Sequence, residues 1–323
     1  LALPEPFIAL TDRAWFDFLA DHAEHGVVDE VNFWSPASTD ALKEMQPGEP
    51  VFLRLKKPWH AIAGYGLFAH FSVLDLDVAW DCFGWKNGDP DKVRFLTRIG
   101  GYRGIDLLDP SARRGHLGCT ILRSTHFWPQ ERWLPWGEAE GWHANIVRGK
   151  TERDPARALL LLAEMDADQQ LIPDDLSEQP FEPFDVDERT VALTPQAERE
   201  GQGAFRTRVL DAYGRRCAIT GEHTEPVLDA AHIQPYRGVR SNHVQNGLLL
   251  TKEFHKLFDL GYVAITPEHE VLVSSALQRD WHNGKRYYPF DHRRLVALPD
   301  RKNMLPSTKA LEWHLANVFR RAS

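Results

Sequence analysis

The strongest constraint on this chain is a run of four short stretches in its last third. They are Arg216-Cys217-Ala218-Ile219-Thr220-Gly221, Ala231-His232-Ile233-Gln234-Pro235-Tyr236, Asn246-Gly247-Leu248-Leu249-Leu250 and His255-Lys256-Leu257-Phe258-Asp259. In order they read as strand, loop, strand and helix. His232 closes an apolar run from Pro226 to Ala231. An imidazole at a strand end is held rigid while facing a cleft, and it titrates near neutrality, so it can take a proton from water. Asn246 precedes Gly247, a pair that reads as a turn. Its amide can tie the loop back and set the tautomer and aim of the imidazole. From Thr251 to Leu260 the chain has a Thr start, Phe254, Leu257 and Phe258 at helical spacing, and Gly261 as a stop. On that helix His255 and Asp259 are i and i+4 and share one face, a spacing that two ligands of one divalent ion can use. A single histidine is ordinarily packed or solvated. The signal is the joint order of residue types on matching elements.

This region resembles the HNH nucleases of the His-Me finger group. The residues that carry the likeness are Ala230-Ala231-His232-Ile233, Pro235-Tyr236, Asn246 to Leu250, and His255 to Gly261. The resemblance implies a two-stranded hairpin packed on a helix, the ββα-metal arrangement, with a metal in the crevice. It makes His232 the general base, Asn246 the residue that orients the base and its loop, and His255 a metal ligand. Many sites of that group carry Asp or His just before the base as a ligand, where this chain has Ala231. Asp259 can replace it from the helix, and Asp229, three residues before the base, is a further candidate. The implied reaction is phosphodiester hydrolysis. Mg2+ is the expected ion by availability, and a histidine-containing site also takes Mn2+, Ni2+ or Co2+. With Cys82, Cys119 and Cys217 alone, a four-cysteine zinc site is impossible, so no structural zinc is expected.

The net charge of −8 looks wrong for a nucleic-acid enzyme until it is divided along the chain. Residues 197–323 hold 19 Lys and Arg against 14 Asp and Glu, a net of +5, which suits phosphate binding. Ten acids and no Lys or Arg lie in 164–188, a stretch with three prolines and no clean periodicity. It reads as an acidic linker, 164–196, wrapped on the surface. The sharper alternative is that its acids cover a basic DNA cleft until DNA arrives. The expected organisation is 1–163, the linker, and 197–323. No apolar run approaches transmembrane length, the N-terminus shows no secretory signal pattern, and three cysteines point to the reducing cytoplasm.

Residues 1–163 begin with a helix that Thr11-Asp12 can cap, with Trp15, Phe16, Phe18 and Leu19 as its apolar stripe. Strand signals follow at Val51–Leu55, Trp59–Phe71 and Leu117–Leu122. Pro90–Ile99 reads as a short helix capped by Asp89. The sum is an α+β domain on a curved sheet or small barrel. This half resembles the PUA-like superfamily, which includes the EVE, ASCH and SRA domains. The likeness is carried by Val31-Asn32-Phe33-Trp34, Pro47 to Pro50, Leu53 to Pro58, Ile62 to Phe68, Ala79 to Gly84 with Asn87-Gly88, Gly118 to Leu122 and Asn145 to Lys150. These segments co-occur in this order with this HNH type in bacterial proteins called restriction endonucleases. Domains of the SRA and EVE kinds bind nucleic acid, and several read modified bases. The resemblance therefore implies a reader fused to a cutter, acting on double-stranded DNA with a modified cytosine such as 5-methyl- or 5-hydroxymethylcytosine. Phe33, Trp34, Trp80 and Phe83 are the candidates for its base pocket.

Arg237 and Arg240, in the loop between His232 and Asn246, are the first candidates for phosphate contact, followed by Arg215, Arg216 and Lys256. One chain carries one such site, so a double-strand cut needs a homodimer or two visits. The alternative is a non-catalytic reader of modified nucleic acid whose HNH half is a degenerate scaffold.

Overall fold

The computed structural model describes residues 5–37, 42, 45–112, 115–167, 179–188 and 200–321. The chain divides into two compact units, residues 1–175 and 176–323. Both are α+β.

The first unit is organised by period-two burial. Its elements are β1 (Phe7–Thr11), α1 (Arg13–His22), β2 (Val27–Ser35), β3 (Pro50–Leu55), β4 (Ala61–Asp75), α2 (Leu76–Phe83), α3 (Lys92–Arg103), β5 (His116–Phe127), β6 (Leu134–Pro135), β7 (Gly149–Thr151) and α4 (Pro155–Asp166). Seven strands form one sheet in the order β2-β5-β4-β3-β1-β7, with β6 on β4. β1 and β3 pair in parallel, and the other ladders are antiparallel. Successive side chains of a strand point to opposite faces, and each face here has its own core. Phe7, Ala9, Val51, Leu53 and Leu55 enter one cluster with Trp15, Phe16 and Leu19 of α1. Ile8 and Phe52 enter the other with Leu161 and Met165 of α4. Register shifts between β3 and β4 and between β4 and β5 bend the sheet. No ladder joins its two ends among the described residues, so it is a curved open sheet rather than a closed barrel.

Asp12 caps α1, accepting from the Trp15 amide at 3.0 Å. The helix expected over Pro90–Ile99 begins two residues later. Its cap is Asp91, which accepts from the Arg94 amide, and Asp89 is instead buried against Arg98 at 2.8 Å. Asp89 loses the cap to Asp91 because its carboxylate is turned inward to a guanidinium.

The second unit contains α5 (Gln202–Ala212), β8 (Leu228–His232), β9 (Gly247–Thr251), α6 (Lys252–Asp259), β10 (Val263–Ile265), β11 (Val271–Val273), α7 (Ala276–Trp281) and α8 (Thr308–Asn317). β8 and β9 pair antiparallel from Leu228 opposite Thr251 to His232 opposite Gly247. α5 and α6 pack on this hairpin. Phe254 and Phe258 of α6 and Phe205 and Val209 of α5 are buried. β8, β9 and α6 thus form the hairpin-on-helix unit. Within the acidic stretch expected as linker, 164–166 finish α4 and 179–188 lie on the second unit. Beyond Ala167, which caps α4, its remaining residues are outside the described ones.

Candidate functional site

Two groups of side chains flank β8. One gathers on Asp229 and the other on His232, the last residue of the strand. On the α6 side, His255 stands between two carboxylates. Its Nδ1 is 3.4 Å from Asp229 Oδ2 and its Nε2 is 3.5 Å from Asp259 Oδ2. The pair His255 and Asp259 comes from one helix turn, and Asp229 comes from the facing strand. Burial pushes the Asp229 carboxyl up, but its hydrogen bond to His255 and the charges of Arg206, His255 and Lys252 outweigh burial, leaving it below the usual carboxylate range. Two carboxylates and an imidazole are hard and borderline donors of the kind that divalent cations take. The three form a row through the two ring nitrogens. Among the described residues no three such groups close on one point in the manner of a metal cage.

On the α5 side, His232 is 7% exposed and lies flat on Phe205, with ring centroids 4.0 Å apart. Its Nε2 is 3.0 Å from Asn242 Oδ1. Asn242 Nδ2 donates to the Glu200 carbonyl at 2.7 Å, which turns Oδ1 toward the ring. His232 therefore donates to Asn242 from Nε2. The tautomer expected from Asn246 is thus set by Asn242. Asn246 is fully buried and holds the loop instead. Its Oδ1 accepts from the Gln234 amide at 2.8 Å, and its Nδ2 donates to the carbonyls of Gln234 and Ser241, both at 3.0 Å. Those three bonds use both donors and one lone pair of the carboxamide, and none of them goes to the imidazole. Neither Phe205 nor Asn242 belongs to a recognisable pattern. Asn242 follows Arg240-Ser241 in a polar loop, where nothing marks it from its neighbours.

The cationic candidates divide. Arg215 is committed to Asp211 at 2.7 Å and Glu225 at 2.9 Å, and these partners raise its pKa despite burial. It is a structural clamp rather than a surface contact. Arg216 and Lys256 are exposed. Arg237 and Arg240 project from the loop that Asn246 holds, and both meet residues 185–188.

The first unit holds a cavity of about 290 Å³. Trp15, Phe33, Trp34 and Tyr102 give it aromatic walls, and Asp12, Lys56 and Arg148 give it charge. Trp15 and Phe33 meet edge to face at 5.3 Å. A buried amide pair aims the indoles: Asn32 Nδ2 donates to Asn87 Oδ1 at 2.9 Å, the Asn32 carbonyl accepts from Trp15 Nε1, and the Asn87 carbonyl accepts from Trp34 Nε1. Gly88 completes this lock. Its φ is +84°, and a Cβ there would lie 2.1 Å from Trp15 Cδ1. The Asp12 carboxylate accepts from the Tyr102 hydroxyl at 2.8 Å, and burial together with this carboxylate pushes Tyr102 up to about 12. Phe33 and Trp34 thus line the cavity. Trp80 and Phe83 do not: Trp80 packs on Phe95 at 5.6 Å and Phe83 is buried in the α2 turn. They sit on a helix, so their spacing delivers them to the core rather than to the cavity mouth.

Residues 217–266 match the family model described as HNH endonuclease. That segment spans β8, β9, α6 and β10, and HNH nucleases generally use a divalent metal. No curated protein matches the chain. Among solved structures, the chain is similar to an ASCH protein from Zymomonas mobilis at 10% identity and TM-score 0.33, covering 49% of this chain and 95% of that one. A mutant of that protein aligns at 8% identity and TM-score 0.34, covering 51% and 99%. A structure described as the modification dependent TagI restriction endonuclease aligns at 13% identity and TM-score 0.26, covering 90% of this chain and 75% of that one. All three likenesses are too remote to assign a substrate or an activity.

Proposed function

We propose that this protein is a metal-dependent DNA endonuclease whose first unit admits a modified base and whose second unit hydrolyses a phosphodiester nearby. The observation that carries the nuclease reading is the meeting of Asp229 with His255 and Asp259 where strand and helix cross, inside the segment that matches the HNH model. His255 would hold the cation with Asp259 through Nε2 or with Asp229 through Nδ1, with Mg2+ or Mn2+ the expected ions. When bound it supplies positive charge to the phosphate and its departing oxygen. His232 accepts the proton of the attacking water, with Asn242 fixing the ring through Nε2. Asn246 keeps the loop closed, so that Asn242 stays in place. Double-stranded DNA is the substrate class, and a double-strand break takes two copies or two visits.

The reading of a modified base rests on the aromatic cavity with its polar floor. A flipped base is bound by stacking between aromatic side chains and by hydrogen bonds at its edge. Phe33 and Trp34 offer the former and Asp12 an acceptor for an exocyclic amine. A second reading, binding without cleavage, has two supports: Ala231 stands where a ligand is common, and the three donors form a row rather than a cage. One experiment separates the two readings. Incubation of the full chain with modified and unmodified duplexes, with Mg2+ or Mn2+, yields nicks that disappear in His255→Ala if the first is right. Absence of nicks with either metal, alongside retained binding, establishes the second.

A further inference from the structure

Arg237 and Arg240 are the cations nearest to the hydrolytic loop, and each is already occupied by the chain's own acidic segment. Residues 179–188 carry Glu182, Asp185, Asp187 and Glu188 and no Lys or Arg. Arg240 Nη1 donates to Glu188 Oε1 at 2.7 Å, and its guanidinium lies 4.6 Å over the Phe184 ring. Arg237 Nη1 donates to the Asp185 carbonyl at 2.6 Å, with the Asp185 carboxylate 3.6 Å away.

The segment is seated in register with the loop. The Phe181 amide donates to Gln245 Oε1 at 2.7 Å, the Phe184 amide to Gln234 Oε1 at 3.1 Å, and the Glu188 amide to the Arg237 carbonyl at 2.6 Å. Gln234 Nε2 returns a bond to the Phe184 carbonyl at 2.9 Å. Phe181 is 6% exposed and anchors the upstream end. Gly238 lets the downstream end approach: with φ +132°, a Cβ there would lie 2.8 Å from Glu188 Cβ.

We propose that Arg237 and Arg240 form a site for successive phosphates of a nucleic-acid strand, and that residues 179–188 are a strap occupying it with carboxylate and carbonyl oxygens until the strand displaces them. This rests on the nuclease reading and adds a competitor to it. The chemistry of the two occupants is the same, anionic or carbonyl oxygen against guanidinium fork. The strap's hold is exchangeable in kind. The Asp185 side chain is 95% exposed and that of Arg240 48%, and such pairs are individually weak and screened by salt. A duplex offers a continuous line of phosphates against the strap's few acids. Arg240 is also two residues before Asn242, the partner of His232 Nε2, so filling or emptying the site acts on the loop that sets the base.

The test uses full-length His255→Ala, which leaves duplex DNA intact, and reads hydrogen exchange at the Phe181, Phe184 and Glu188 amides with and without duplex. Displacement predicts faster exchange at all three when DNA binds. Unchanged or slower exchange with DNA bound overturns the strap and leaves the nuclease reading standing. In the same background, Glu188→Gln is expected to bind duplex roughly threefold to tenfold more tightly at low salt, a gain that shrinks as salt rises. In Arg240→Ala that gain disappears. Equal or weaker binding by Glu188→Gln, with its melting temperature unchanged, also overturns the proposal. Failure of the full chain to bind duplex with or without the substitution defeats the nuclease reading itself.

Discussion

The two units place functional groups by opposite means. In the second unit, the side chains of the proposed site other than Phe205 fall within 31 positions, Asp229 to Asp259, on a hairpin and the helix after it. Polar hydrogen bonds aim them. In the first unit, the cavity draws on β1, α1, β2, α3 and the approach to β7, from Phe7 to Arg148. Aromatic packing shapes it, and one buried amide pair aims it. A compact motif is thus readable and tolerant of its surroundings. A cavity built from distant segments depends on every layer of the sheet being in register.

The largest expected effect falls on the second unit. His255→Ala should remove detectable cleavage while full-length protein still binds duplex, and His232→Ala should lower the rate by about 10²- to 10⁴-fold. Near-normal turnover in His232→Ala would place the base elsewhere. Next comes a contrast within the loop. Asn242→Ala is expected to slow cleavage by about 10- to 100-fold with stability nearly unchanged, as for a group that orients a ring from behind. Asn246→Ala should cost about 3 kcal/mol of stability, because it strands buried partners at Gln234 and Ser241. Urea unfolding beside single-turnover cleavage distinguishes them, and identical profiles would erase the assignment of the tautomer to Asn242.

The first unit should answer differently. Trp34→Ala is expected to reduce the preference for modified over unmodified duplex by roughly tenfold, from the stacking of one base, without altering cleavage of saturating DNA. Gly88→Ala should destabilise this unit by about 2–4 kcal/mol, through its positive φ and the collision with Trp15. Hydrogen exchange should show the loss confined to peptides of residues 5–167.

The smallest effects are those of pH, and the units have opposite signs. His314 is buried on Phe258, with centroids 3.7 Å apart, and burial pulls it from 6.5 to about 4 although the Phe258 carbonyl favours its charged form. A lowered histidine gives stability that is complete above 6.5 and lost as pH falls toward about 4. Asp89 is raised from 3.8 to about 6, because burial outweighs the Arg98 charge beside it. Its contribution is complete below 3.8 and is lost as pH rises through about 6. Unfolding of His314→Gln and Asp89→Asn between about pH 4 and 7 should flatten the acid limb in the first and lift stability at the upper end in the second. Parallel pH profiles for both variants and the parent would contradict the two burial assignments.

The chain's own order determined the hairpin, the helix with His255 and Asp259, the N-terminal helix and its Asp12 cap, and the alternation of the sheet. All of these are set by contacts within a few residues or by a period of two or 3.6, which a linear string carries. Tertiary structure alone decided that Asn242 rather than Asn246 meets His232, that Arg215 is spent on Asp211 and Glu225, that Trp80 and Phe83 pack away from the cavity, and that acids at 185–188 sit on Arg237 and Arg240. In each case several partners of suitable chemistry compete for one group. The winner is the one that the folded backbone brings within about 3 Å, a distance that sequence separation does not encode.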